Sequence, residues 1–100
     1  MRIVTETVVR AFINRKKCTV GNTYTDGTTL YLHRNAIARW TDKNELLVCS
    51  AGWETRTTKE RLNGLFSFIN RNDLRISQKN WVWYLGNTAW SDTREWLLIK

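Results

Sequence analysis

One hundred residues carrying sixteen Lys and Arg against nine Asp and Glu, a net charge of +7, describe one small basic domain, too short for two independent cores. The excess is spread over both halves, which excludes a charged tail, and its sign excludes a nucleic-acid mimic while favouring nucleic acid, anionic surfaces or acidic proteins as partners. No apolar run approaches the roughly 20 residues of a membrane span, and two cysteines without a legible secretory leader fit a reducing cytoplasm.

The opening RIVTETVVRAFINRKK holds two periods, because Ile3, Thr5, Thr7 and Val9 alternate while Val8, Val9, Phe12 and Ile13 recur as on a helix face. The helical reading is preferred, over residues 6–15, with Thr5 as cap and Glu6–Arg10 as an i, i+4 pair. Next, CTVGNTYTDGTTLYLHRNAIARWTDKNELLVCSAG is rich in Thr, Tyr, Val and Leu and broken at DG, RN and DKN. It predicts an antiparallel meander of three or four strands, with a type I′ turn at Asp26-Gly27. Leu30 and Leu32, and likewise Leu46, Val48 and Ser50, alternate as in a sheet covered on one face.

Residues 51–65, AGWETRTTKERLNGL, open a second helix. Thr57 and Glu60 fit a capping box, and Leu62, Leu65, Phe66 and Ile69 form one apolar stripe behind it. LRISQKNWVWYL then reads as a hairpin turning at Lys79-Asn80, and REWLLIK as a final strand. The expected fold is α+β: a single domain, residues 1–100, with an antiparallel sheet of about five to six strands and two helices packed on one face.

The segments GNTYTDGTTLYLHRNAIA, AGWETRTTKERLNGL and ISQKNWVWYL, in this order, resemble a group of small tailed-bacteriophage proteins that share LHxNxIA and AGWxTxTTxxRLNGL. The resemblance runs from about Phe12 to Trp90. It implies a phage gene expressed in the cytoplasm of an infected bacterium, and it implies no activity or catalytic residue. Where the group usually has Gly in LHGN, this chain has Arg34, which would carry about 1 kcal/mol of strain if the position needs φ > 0.

Catalysis finds little support. The sole histidine, His33, has no legible triad around it, and Cys18 and Cys49 lie in apolar surroundings where a thiol packs as a small hydrophobe. Cysteines this far apart and scattered carboxylates make no recognisable metal spacing, and no Gly-rich phosphate loop is present. Neither an enzyme nor a cofactor is expected; a metal-independent nuclease built on His33 with Arg34, Arg39 or Lys43 ranks third.

The start of the second helix is a better candidate. Free N–H groups and the positive end of the dipole favour an anion there, and Arg56, Lys59 and Arg61 add cations where an isolated helix prefers acids. Six tryptophans exceed what such a core needs, so part of them is expected on the surface. Trp53 stands beside the helix start, and Trp81 and Trp83 share one face of the hairpin next to Lys79. With Arg34 and Arg39 these residues are the expected interface. Its partner is nucleic acid bound with weak sequence specificity. The alternative is a host protein that handles nucleic acid or mediates defence, inhibited through the same Trp and Arg anchors.

Overall fold

The computed structural model describes residues 3–99. Helix α1 (Ile3–Ile13) leads into five short strands, β1 (Cys18–Val20), β2 (Thr23–Thr25), β3 (Thr29–Leu32), β4 (Asn35–Trp40) and β5 (Leu46–Val48). Helix α2 (Arg56–Phe68) and a 3-10 turn (Asn72–Leu74) follow, then β6 (Ile76–Lys79), β7 (Val82–Leu85), β8 (Thr88–Ala89) and β9 (Leu97–Ile99). The meander β1 to β5 is antiparallel throughout, and β9 joins its far side against β5, giving the order β1-β2-β3-β4-β5-β9. Strands β6 to β8 form a second, three-stranded antiparallel sheet. This is the expected α+β fold in one compact body, with the second sheet as the unforeseen part.

Alternation decides which face is covered. Thr23, Thr25, Leu30, Leu32, Leu46 and Val48 are all buried, and α1 packs on β1 to β3 while α2 packs on α1, β4 and β6. A register shift between Leu30 and Tyr31 places one extra residue in β4, so that Ile37 and Ala38, though adjacent, are both buried. The α2 stripe is as expected: Leu62, Leu65 and Phe66 are fully buried and Ile69 packs on the core. Trp40 stacks on Phe12 with ring centroids 5.3 Å apart, and its indole N–H donates to the Phe12 carbonyl.

Several local expectations are corrected. Helix α1 covers residues 3–13, not 6–15, and Thr5 is no cap. It lies three and four residues before Val8 and Val9 on the buried face and is itself buried. The Glu6–Arg10 pair forms at 2.9 Å but is exposed, which limits it to about 0.3–0.5 kcal/mol. Helix α2 is capped by Thr55, whose hydroxyl accepts from the Thr58 N–H at 3.2 Å; Thr57 is already the second helical residue, and Glu60 is occupied elsewhere. Replacing Thr55 with alanine should therefore lower stability by about 1 kcal/mol, and Thr57→Ala should leave the urea midpoint almost unmoved. The reverse outcome would place the cap at Thr57 after all.

The tight turns also differ. Only Gly27 of the Asp26-Gly27 pair has positive φ, +100°, so the turn is not type I′; the Asp26 carboxylate accepts from the N–H of Thr28 and Thr29 instead, and these bonds hold its pKa below the usual value. A Cβ on Gly27 would stand 2.8 Å from the Arg15 carbonyl oxygen, so the position requires glycine. Two-residue loops with positive φ at both positions, as in type I′ turns, occur at His33-Arg34 (51° and 69°) and at Asn80-Trp81 (53° and 67°). The second of these lies one residue beyond the expected Lys79-Asn80. Arg34 and Trp81 thus occupy the positions that glycine prefers, each at a cost of about 1 kcal/mol. The final strand is Leu97–Ile99; Lys100, which the sequence reading included, lies outside the described residues.

Candidate nucleic-acid interface

Four segments converge on the first turn of α2. The chain between β5 and α2 is tied down by short bonds: Ser50 and Thr93 hydroxyls pair at 2.8 Å, the Gly52 N–H donates to the Ser50 hydroxyl, and the Trp53 N–H to the Ser50 carbonyl. Glu54 accepts from Thr93 as well. These bonds hold up Trp53, which is 59% exposed. Beside it lies a cleft of about 310 Å³ bounded by the β3–β4 turn and the helix start, where His33, Asn35, Thr55 and Thr57 supply polar groups.

On the other side of the same helical turn, α2 and β6 enclose a wider polar groove of about 500 Å³. Arg56, Lys59 and Arg75 line it, with Asn63, Ser67 and Asn72 as neutral donors and acceptors and Glu60 as the acid. Asn63 fixes the groove's width, because its side-chain amide accepts from the Ile76 N–H at 2.6 Å and donates to the Ile76 carbonyl at 3.1 Å. The Lys59 ammonium donates to Gln78 at 3.0 Å, which keeps the β6–β7 hairpin against the helix and leaves two ammonium donors for a ligand. At the hairpin tip Lys79 is exposed and Trp81 is 89% exposed.

Five of the nine predicted residues, Trp53, Arg56, Lys59, Lys79 and Trp81, therefore belong to the helix start, its groove and the adjoining hairpin. Arg34 is exposed on the β3–β4 turn whose neighbours His33 and Asn35 line the smaller cleft. Arg39 lies on the opposite sheet face with its guanidinium over the Trp96 ring at 5.0 Å. Two residues leave the interface altogether. Trp83 is 1% exposed and packs on Trp90, and Arg61 is 3% exposed. The Arg61 guanidinium donates to Thr5 at 2.8 Å and Thr23 at 2.9 Å and pairs with Glu60, so it binds the fold and no phosphate can reach it. Arg75 went unrecognised in the sequence; its signal was the position just before the apolar Ile76, at the start of the strand that follows α2.

Chemically the groove is a row of cationic and amide donors, suited to phosphate oxygens. Nothing in it resembles an activated nucleophile. The Cys49 thiol donates to the Ala36 carbonyl at 3.4 Å, and burial pushes its pKa up. His33 is exposed, its Nε2 3.3 Å from the Asn22 amide nitrogen. Among the described residues no three His, Cys, Asp or Glu gather as metal ligands, and no helix is long and apolar enough to cross a membrane.

The family model described as Kyanoviridae Gp96 protein matches residues 1–98. The chain belongs to that family. The phage kinship expected from the sequence is thereby shown, although the match does not single out the three segments that suggested it. No curated protein and no solved structure matches the chain. The Kyanoviridae Gp96 family match spans all but the last residue of β9 in the described α+β body, including α2, β6 and the groove between them.

Proposed function

We propose that this Kyanoviridae Gp96 family member is a non-enzymatic phage protein that binds nucleic acid, with phosphates along the α2–β6 groove and bases stacked on the exposed tryptophans. The observation that carries the reading is the grouping of Arg56, Lys59 and Arg75 in one polar groove beside the exposed Lys79 and Trp81. A net charge of +7 supports it by drawing polyanions to the surface. So does the backbone strain at Arg34 and Trp81, since strain retained at exposed positions favours what the side chain does outside the fold. No base-reading element enters a groove of the ligand in this scheme, so sequence preference is weak. The site of action is the cytoplasm of the infected host.

Changing Arg56, Lys59 and Arg75 together to glutamine tests the reading. Each phosphate neutralised on a duplex adds about 0.9 to the slope of log affinity against log salt, so the triple variant should flatten that slope by roughly two to three units on a mixed-sequence duplex. The fold should persist, because Arg56 and Arg75 are exposed and glutamine at 59 can still donate. An unchanged affinity and slope would remove the groove from consideration. Affinity purification from host lysate with and without nuclease gives the second arm: a partner that survives nuclease is a protein, and would make the same anchors an inhibitory interface.

A further inference from the structure

Both sheets end in open edges that face one apolar groove. Directly after β5 the Cys49 N–H donates to Ile37 of β4, so by the alternation of an antiparallel ladder Leu47 also bonds to β4 while Leu46 and Val48 bond to β9. Their partners Ile99 and Leu97 therefore face back into the sheet. The N–H and C=O of Leu98 point outward, away from β5. In the small sheet the Trp90 N–H donates to the Trp83 carbonyl at 2.8 Å, so the N–H and C=O of the preceding Ala89 point away from β7. Leu98 and Ala89 line the same groove, of about 400 Å³, together with Leu74, Leu85, Trp90 and Ile99. Through Ile99 the groove continues into a second hollow floored by Trp40, Leu46 and Ile69.

We propose that this groove takes an extended peptide from a partner protein, which adds a strand between β9 and β8. The unpaired backbone groups decide the class of ligand. Outward amide and carbonyl groups on two edges are matched by another strand's main chain, and apolar walls take every second side chain of it. Nucleic acid fits poorly, because the groove's lining is mainly Leu, Ile, Ala and Trp, and its one cation, Arg71, is paired with Asp73 and does not form a row like that along α2. The protein's charge of +7 favours acidic flanks on the incoming strand. The site is separate from the α2–β6 groove, and the proposal stands whether or not that groove binds nucleic acid.

The probe is a blocked peptide in which three valines alternate with three threonines between a terminal aspartate and a terminal glutamate. Added in millimolar amounts to the isotopically labelled protein, it should slow amide exchange at Leu98 and Ala89 about tenfold and leave Gln78 and Trp81 unchanged. Ala89→Pro and Leu98→Pro each remove an outward N–H without breaking a ladder bond, which edge strands tolerate. Each variant should keep the folded amide spectrum and bind the peptide about tenfold more weakly. No slowing at Leu98 and Ala89 in the wild-type protein would overturn the proposal, even if both proline variants failed to fold. So would undiminished binding in folded variants, the same protection from a mixed-sequence oligonucleotide, or a concentration-dependent dimer that protects both amides without peptide.

Discussion

Replacing Arg61 with methionine is expected to destabilise the protein by about 3–5 kcal/mol, although arginine is so often a surface residue. The guanidinium joins α1 through Thr5, β2 through Thr23 and α2 through Glu60, and its remaining nitrogen lies 3.5 Å from Asn22 in the β1–β2 turn. Methionine fills the volume but donates nothing. Thr5 and Thr23 lose their donor, and the Glu60 carboxylate, only 24% exposed, loses its counter-charge. Because the cost is chiefly the stranded partner, the double variant Glu60→Gln with Arg61→Met should recover part of it, and Arg61→Lys should fall between wild type and methionine. Thermal unfolding resolves these differences, since 1 kcal/mol moves the midpoint of a domain this size by about 4–8 °C. A methionine variant as stable as wild type, with nucleic-acid affinity lost, would return Arg61 to the interface.

Phe66→Ala should cost about 3–5 kcal/mol as well, by a different route. The ring is 1% exposed in the cluster formed by Val8, Val9 and Phe12 of α1 and Leu62 and Leu65 of α2, where the surrounding side chains cannot collapse into the space it leaves. Small domains are stable by about 5–15 kcal/mol in all, so most of the margin would go, and the urea midpoint should fall steeply with little change in slope. A fully stable Phe66→Ala protein would mean that the stripe is not the core. Phe66→Leu, which keeps much of the volume, should lose much less.

These two variants mark what could and could not be read from the residues. Leu62, Leu65, Phe66 and Ile69 announced helix and buried face together, because a 3.6-residue period is a local property. The same stripe contained the sign that Arg61 is inside: it precedes Leu62 directly and Leu65 by four, so it shares the covered side. Taking it as a surface cation counted charge without projecting the helix. The cap was harder. Thr55, Thr57 and Thr58 are all competent, and the choice is made by tertiary burial of Thr58 and by Glu60 turning to Thr5, contacts between segments far apart in the chain. Trp83 was misread by one residue of turn. With the loop at Asn80-Trp81, Trp81 leaves the strand for the tip and Trp83 goes into the core, and no local signal favours tryptophan at a positive φ. The β6–β7 hairpin was legible, but its place in a separate sheet was not, because β8 is only two residues long and β7 carries bulky side chains on both faces.

The position of β9 beside β5 sets the order in which the molecule can be made. Strands β1 to β5 pair with sequence neighbours and can zip up as they leave the ribosome, but β5 keeps a bare flank until the last strand has been synthesised. During that interval α2 and the whole β6–β8 sheet must be produced while Leu46 and Val48 wait with unsatisfied main-chain groups. A polypeptide released early, short of Leu97, would keep that flank for good and would tend to recruit other chains through it. Addition of β9 is thus the step that covers the flank of β5, and a strand of three residues, Leu97–Ile99, is enough to do so.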